Sequence, residues 1–320
     1  MPDTTPATPT CFVGCDVGKT EIVVFNSGSG RTSRIPNSPE RLARFADSLD
    51  PGCLVICEPT GGWEAGLLDA LTRAGRAVHR ADAVRVKAFI RSLGTLGKSD
   101  AIDARALAAY GRERHATLTL WQPKDELRDR LHRLVMLRRD LIADRTAWSN
   151  RRGAPTGAAL ADHLGPILDC LEARIAAVDA EIAHLIKATP ALRADARALR
   201  QIKGIGPHTA TGLIALMPEL GQITRREAAA LAGVAPHPNE SGASRGYRRA
   251  RGGRPEIKRT LFFAAMSAAR HNPPLRAFHQ RLRDAGKPKL LAIVAVMRKL
   301  IVIANAVLRD TRNGSSLVRP

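Results

Sequence analysis

Hydrophobic positions in residues 11–115 follow two alternating patterns. Short runs rich in β-branched and other apolar residues predict four strands: CFVGCDV, EIVVFN, CLVICEP and RAVHRAD. Between the last two, WEAGLLDALTRAG has apolar residues at helical spacing and predicts a helix. Strands and helices in this order predict an α/β layer structure with a mixed sheet.

From about residue 124 to 188 the apolar residues recur at helical spacing with charged residues between them. This pattern predicts two long helices in an antiparallel or intermolecular coiled coil, with the turn at RRGAPTG. After ATPALRADARAL the chain returns to a helical pattern, which a loop rich in Gly, Pro and Arg interrupts at 233–256.

The charge balance indicates the kind of partner. The 320 residues include 50 Lys and Arg against 30 Asp and Glu, a net charge of +20. Such an excess is typical of proteins that bind nucleic acid. A membrane surface is the alternative polyanion, but we expect no membrane association, because we find no run of about 18 apolar residues and the start MPDTTPATPT is unlike a signal peptide. We expect a soluble, cytoplasmic protein.

The cysteines lie mainly in two predicted strands. Their total of five is odd and no export signal is evident, which argues against a disulfide framework. Two C-x3-C pairs could suggest zinc, but inside a strand cysteine serves as a small buried apolar residue. We therefore expect buried cysteines without zinc or disulfides.

Two predicted strands end in a carboxylate, Asp16 in CFVGCDV and Glu58 in CLVICEP. A partly buried carboxylate is costly without compensation, so two at equivalent strand ends favour a shared cation. Asp100 and Asp103, one helical turn apart in KSDAIDARALA, could complete the set. The alternative is that Asp100 is a helix N-cap and Asp103 a first-turn acid. Four acids suit Mg²⁺ or Mn²⁺, which assist phosphoryl transfer.

The series GCDVGK, CEPTGGW and KSDAIDARALA resembles the DEDD pattern of the RuvC-like domain in transposases of the IS110 insertion-sequence family. The resemblance continues through IKGIGPHTATGLIAL and AGVAPHPNESGASRGYRRARGGRPEIKRTLFFAA. It implies that Asp16, Glu58, Asp100 and Asp103 are catalytic metal ligands.

The resemblance also implies the fold class: an α/β N-terminal RNase H/RuvC-like domain, a long helical coiled-coil linker and an all-α C-terminal domain with a helix-hairpin-helix-like element. We expect a disordered N-terminus at 1–10, the RuvC-like DEDD domain at 11–120, the coiled-coil segment at 121–190 and the serine transposase domain at 191–320.

A serine and an arginine cluster occupy the long loop, in PNESGASRGYRRARGGR. Ser241 followed by Gly242 would by itself indicate only a turn, and no Ser-His-Asp arrangement is evident to activate the hydroxyl. The resemblance implies instead that Ser241 is the nucleophile, activated by a metal that the four acids hold. Five arginines would offset charge on the phosphate: Arg245, Arg248, Arg249, Arg251 and Arg254.

The segment IKGIGPHTATGLIAL resembles a helix-hairpin-helix element. Lys203, Gly204 and Gly206 would then contact phosphate through backbone N–H groups and a helix N-terminus. A simple helix-helix turn is the alternative. Trp63, which begins a helix after PTGG, is expected in the core rather than as a base-stacking platform.

The resemblance implies an RNA-guided DNA transposase or recombinase. A structured noncoding RNA encoded beside the transposase would pair with donor and target double-stranded DNA, while the protein binds shape and charge. We expect a homo-oligomer, a dimer that assembles to a tetramer with composite sites, near the nucleoid. Three alternatives stay open: a site-specific DNA invertase with the same domains, a RuvC-type metal nuclease in which Ser241 is a turn residue, and a non-catalytic nucleic-acid-binding scaffold.

Overall fold

The computed structural model describes residues 8–94, 99–123, 125–237, 240–241, 244–245 and 249–314, with only the backbone at 240–241 and 244–245. The chain divides into two compact units, Met1–Lys124 and Asp125–Pro320. The first contains a sheet with helices on both faces, and the second is mostly helical.

The first unit is an α/β layer structure, as the alternating pattern predicted. Its strands are β1 (Cys11–Val17), β2 (Glu21–Asn26), β3 (Arg31–Pro36), β4 (Cys53–Cys57) and β5 (Ala77–Arg80). Its helices are α1 (Pro39–Ser48), α2 (Ala65–Arg73), α3 (Ala83–Ser92) and α4 (Asp100–Arg114). The strand order is β3-β2-β1-β4-β5, and β1 pairs antiparallel with β2 and parallel with β4, so the sheet is mixed.

Cys11 and Cys53 form a disulfide, so the expectation of unbonded cysteines is wrong at this pair. The parallel register of β1 and β4 pairs Cys11 with Cys53 and Cys15 with Cys57. The Cα atoms of Cys11 and Cys53 are 4.6 Å apart, within the range of a disulfide. Cys15 and Cys57 are free and buried, and burial is the main cause that raises the pKa of Cys57 to about 12.

The second unit contains eight helices within its described residues. They are α5 (Glu126–Gly153), α6 (Ala161–Ala188), α7 (Pro190–Arg200), α8 (Pro207–Leu216), α9 (Arg225–Leu231), α10 (Pro255–His271), α11 (Pro273–Asp284) and α12 (Lys289–Arg312). Between α9 and α10 the described residues form four short strands: β6 (Pro236–His237), β7 (Glu240–Ser241), β8 (Ser244–Arg245) and β9 (Arg249–Ala250). The expectation of an all-α C-terminal domain is therefore wrong at this segment.

The two predicted long helices are α5 and α6, each of 28 residues. They pack against each other, and the ion pairs Arg130–Glu181 and Arg138–Asp179 join them. Apolar residues from both helices belong to the same core as α7–α12. The pair is therefore integrated into the second unit, and its coiled-coil character stays a prediction.

Helix α12 is a long apolar helix that Arg298 and Lys299 interrupt. It is long and apolar enough to cross a membrane, with a mean hydropathy of 2.2. However, it packs against α7, α9, α10 and α11, and Leu300, Ile301 and Ala304 are fully buried in that core. Its hydrophobicity is accounted for by its central position among helices.

Candidate active site

Strand alternation directs the two strand-end carboxylates to the same face of the sheet. Residues Phe12, Leu54 and Ile56 pack on the face that α4 covers. Because side chains alternate along a strand, Asp16 on β1 and Glu58 directly after β4 belong to this face as well. The register pairs Cys15 with Cys57, so the two acids occupy the next step along neighbouring strands.

Helix α4 lies unusually close to β1, because a glycine faces it. A Cβ built on Gly14 would lie 1.9 Å from the Ala104 carbonyl oxygen and 2.7 Å from the Ala108 nitrogen. On the helix itself, a Cβ built on Gly111 would lie 2.2 Å from Ile56 Cδ1. At Gly14 the close atoms are backbone atoms of α4, so this glycine determines how far the α4 side chains stand from the strand ends.

Asp100 and Asp103 open α4, but neither is its N-cap. The N-cap is Ser99, whose hydroxyl accepts a hydrogen bond from the Ile102 N–H at 3.3 Å. The alternative that Asp100 is the N-cap is therefore wrong, because the preceding serine occupies that position. Asp103 is partly buried and Asp100 is exposed. Ala104 faces the sheet. Asp103 directly precedes it, and Asp100 lies about one helical turn before it.

Two of the other predicted acids, Asp16 and Asp103, act electrostatically on Glu58. The pKa of Glu58 is raised from its ordinary value, chiefly by burial and further by the charges of Asp16 and Asp103. Lys87 on α3 acts in the opposite direction, while Asp82 also raises this pKa. Asp100 is not among the charges that act on Glu58.

The donor set suits a hard divalent cation. It consists of carboxylate oxygens, and a cation would offset both the burial and the acidic neighbours that raise the pKa of Glu58. In the described part of the chain, no group of three or more His, Cys, Asp or Glu side chains is assembled closely enough to hold an ion directly.

Glu64 is a further buried acid, which the sequence analysis missed. Only 2% of its surface is exposed, and its carboxylate accepts hydrogen bonds from the Thr60 and Gly62 N–H groups, both at 3.0 Å. The Arg80 guanidinium donates two more, at 2.9 and 2.6 Å. Glu64 thereby fixes the loop that follows Glu58. The sequence signal was an acid after a Gly-Gly turn, with a basic residue ending the next strand.

Trp63 corrects another expectation. Its side chain is 49% exposed rather than in the core, and the Lys19 ammonium lies 5.5 Å from the ring centroid. The Gly-Gly turn and the inward direction of Glu64 leave the preceding side chain facing outward.

Ser241 lies at the end of a short hairpin in the second unit. β7 pairs antiparallel with β8, and the register pairs Ser241 with Ser244. β6 pairs with β9 at the base of the same segment. Gly242 and Arg248 lie outside the described residues.

Close backbone contact fixes the base of this hairpin. Gly233 and Gly253 both have positive φ, and a Cβ on Gly253 would lie 2.1 Å from the Gly233 nitrogen. Arg254 also braces this point, since its guanidinium donates to Glu219 at 2.9 and 2.6 Å and to the Leu216 carbonyl at 2.7 Å. Arg254 thus contributes an internal ion pair.

The other described candidates for phosphate contact differ in environment. Arg249 and Arg251 are exposed, and Arg245 is described only by its backbone in β8. Gly204 has a φ of 110°, and a Cβ there would lie 2.5 Å from Ala268 Cβ, so this glycine packs against α10. Gly206 begins α8 in open surroundings and Lys203 is exposed.

Comparison with known proteins identifies the class. Residues 13–154 match a transposase family model of the DEDD type, and residues 196–280 match the model described as Transposase IS116/IS110/IS902 family. The pilin gene-inverting proteins of Moraxella lacunata and Moraxella bovis are each 30% identical over 81% of this chain and 80% of their own length. An uncharacterized 43.6 kDa protein of insertion element IS110 from Streptomyces coelicolor is 26% identical over 93% of this chain and 94% of its own.

The α/β unit with its acidic strand ends, together with these matches, defines a DNA transposase or recombinase, an enzyme that acts on DNA. The sheet is compatible with a DEDD, RuvC-like fold, and the DEDD match indicates the use of a divalent metal. The chain belongs to the IS116/IS110/IS902 transposase family.

Proposed function

We propose that this transposase breaks and rejoins DNA by serine attack. Ser241 is the nucleophile, and Asp16, Glu58, Asp100 and Asp103 hold Mg²⁺ or Mn²⁺. The observation that carries the proposal is the position of Asp16 and Glu58 at neighbouring strand ends on the face that α4 covers, where the charges of Asp16 and Asp103 both raise the pKa of Glu58 beyond the effect of burial. The position of Ser241 at the end of a braced hairpin supports its assignment.

The proposed chemistry is an exchange of phosphoesters. The four acids would hold a divalent cation, which when bound would supply activation of the attacking oxygen and stabilisation of charge on the phosphate. The Ser241 Oγ forms a bond to phosphorus, the bond from phosphorus to one deoxyribose oxygen breaks, and the serine proton ends on that oxygen. Because phosphoserine conserves the ester bond, a second deoxyribose hydroxyl can displace Ser241 and rejoin the strands without a high-energy cofactor. Arg249 and Arg251 bind the phosphate oxygens.

We further propose that a structured noncoding guide RNA selects donor and target DNA. The support is a net charge of +20 with only 4% aromatic residues, a composition suited to backbone contacts more than to base readout. Lys203 and the start of α8 at Gly206 add phosphate contacts. The paired helices α5 and α6 join protomers into a dimer that assembles to a tetramer.

Inversion is the second candidate product. The two pilin gene-inverting proteins of Moraxella are 30% identical to this chain over most of its length. The same serine chemistry yields inversion when the two recombining sites lie on one DNA molecule in opposite orientation. On a plasmid with such paired sites, the restriction pattern distinguishes an inversion product from an excision product.

The test of serine attack is a denaturing gel of full-length protein with Mg²⁺, the RNA transcribed from beside its gene and labelled target DNA. Ser241→Ala is compared with Ser244→Ala, since Ser244 is the register partner on the opposite strand of the hairpin. We expect a covalent protein–DNA adduct with wild type and Ser244→Ala, and none with Ser241→Ala.

Each outcome separates one chemistry from another. Nicked DNA without an adduct, formed by both variants, would indicate a metal nuclease and overturn the serine proposal. An adduct that persists after Asp16→Asn, with unchanged circular dichroism, would overturn the assignment of the acids. Adduct formation without the RNA would overturn the guide proposal and leave the serine chemistry standing.

A further inference from the structure

A groove with an apolar floor lies between α10 and α12. Its volume is about 1170 Å³, and a cavity of about 450 Å³ continues it past Phe262 and Leu290, which line both. Phe263 and Leu290 are 67% and 64% exposed. Large apolar side chains that are clustered and exposed in this way mark a binding surface.

Helical spacing explains why cations adjoin this floor. On α10, Lys258 precedes Phe262 and Arg259 precedes Phe263 by four residues, so each cation lies one turn from an aromatic ring. On α12, Arg298 follows Val294 at the same spacing. The Phe262 and Phe263 rings are 5.8 Å apart, edge to face. The sequence therefore builds an aromatic floor with basic edges.

The rim carries one sign of charge only. The described residues that line the two cavities include no Asp or Glu. Their Lys and Arg residues are Arg249, Lys258, Arg259, Arg270, Arg283, Lys289 and Arg298. None of these side chains forms an ion pair within the described part of the chain. A partner must therefore combine negative charge with flat apolar surface, and single-stranded nucleic acid has both.

The groove begins at the serine hairpin. Pro236, Arg249 and Ala250, which form the base of that hairpin in β6 and β9, also line the groove. A DNA strand attached at Ser241 would leave the hairpin beside this end. Strand exchange exposes unpaired nucleotides next to the broken bond, which favours DNA over other polyanions as the occupant.

We propose that the groove binds an unpaired DNA strand adjacent to the bond under attack, with bases stacked on Phe262 and Phe263 and phosphates on the basic rim. A duplex is excluded from this mode because its base faces are already stacked on one another. The position of the bound strand next to the bond under attack rests on the function proposed for Ser241. The binding of a single strand by the groove requires no serine chemistry.

The test is fluorescence anisotropy with full-length protein and labelled oligonucleotides of about 12 nucleotides, a length in the range of known single-strand sites. The probes are single-stranded DNA, its duplex and single-stranded RNA of the same sequence. We expect Phe263→Ala to weaken single-stranded DNA binding about tenfold, since base stacking is lost. Duplex affinity is expected to stay within about twofold, and Phe263→Trp is expected to retain wild-type affinity.

Two matched controls separate the groove from general surface effects. Leu93→Ala removes another apolar side chain, 48% exposed at the end of α3, and should leave all affinities unchanged. Arg298→Gln should lower the slope of log affinity against log salt by about 0.7 for single strands, the value for one phosphate. Arg41→Gln, at an exposed arginine on α1, should leave that slope unchanged.

Several results would overturn the proposal. If Phe263→Ala lost affinity for single-stranded and duplex DNA equally, or lost affinity for neither, the stacking mode would be refuted. A loss confined to RNA would reassign the groove to an RNA strand. Unchanged nucleic-acid binding with a lower mass in light scattering for Phe263→Ala would make it a protein interface. If wild type forms no adduct while Phe263→Ala still weakens the binding of single-stranded DNA alone, the function proposed for Ser241 fails and the groove proposal stands.

Discussion

The contact of Gly14 with α4 gives the sharpest prediction about the acidic site. In Gly14→Ala the new methyl group would lie 1.9 Å from the Ala104 carbonyl oxygen, whereas ordinary contact begins at 3.4 Å. The helix must therefore retreat by about 1.5 Å, the difference between these distances. Overpacking of this kind costs about 1–3 kcal/mol of stability. It also moves Asp103 away from Asp16, and a displacement of about 1 Å in a catalytic site costs on the order of 100-fold in rate.

The assay pairs urea unfolding, followed by circular dichroism, with the rate of adduct formation in Mg²⁺. Gly153→Ala is the matched control, because nothing lies within 4 Å of a Cβ built there. We expect that control to match wild type in both measurements. If Gly14→Ala has the stability and the rate of adduct formation of wild type, the close contact between β1 and α4 is refuted. If Gly14→Ala loses stability but keeps its rate of adduct formation, the contact between β1 and α4 does not position Asp103.

Three further predictions follow from individual contacts. Asp103→Asn should lower the pKa of Glu58, measured by carbon NMR titration, because a charge that raises it is removed; Asp100→Asn should leave it unchanged. Glu64→Gln should cost about 2 kcal/mol. Burial of Glu64 opposes its ionisation, but its hydrogen bonds outweigh this and lower its pKa below 4.5. The stability it contributes is therefore present above that pH and lost as the pH falls through the folded pKa, so variant and wild type should converge in acid. Arg254→Gln should cost about 1 kcal/mol without changing the salt slope of DNA binding, and a reduced slope would identify it as a phosphate contact.

The sequence predicted the parts of the acidic site that depend on local pattern. Each apolar strand ended at a carboxylate, Asp16 or Glu58, and the helical start at Asp100 and Asp103 was evident from spacing. Period-two alternation then implies that both strand-end acids share a face. These features follow from two or three neighbouring residues, so they can be read without knowing what packs against them.

Long-range pairing accounts for what the sequence analysis missed. The disulfide depends on the register that sets Cys11 opposite Cys53, and the two C-x3-C runs contain no local indication of it. The burial of Glu64 depends on Arg80, which lies 16 residues away on the next strand. The capping of α4 was misjudged for a different reason, since Ser99 and Asp100 are both strong capping residues and adjacent.

The basic residues of the second unit illustrate why charge alone does not identify a nucleic-acid contact. Arg254 and Arg249 belong to the same Arg-rich run, yet one is held by Glu219 and the other lines an open groove without a carboxylate partner. An arginine whose hydrogen bonds are already satisfied gains little from a phosphate, whereas an unpaired one gains the full charge-assisted contact. The net charge of +20 therefore indicates the class of partner, while the pairing of each guanidinium indicates where that partner binds.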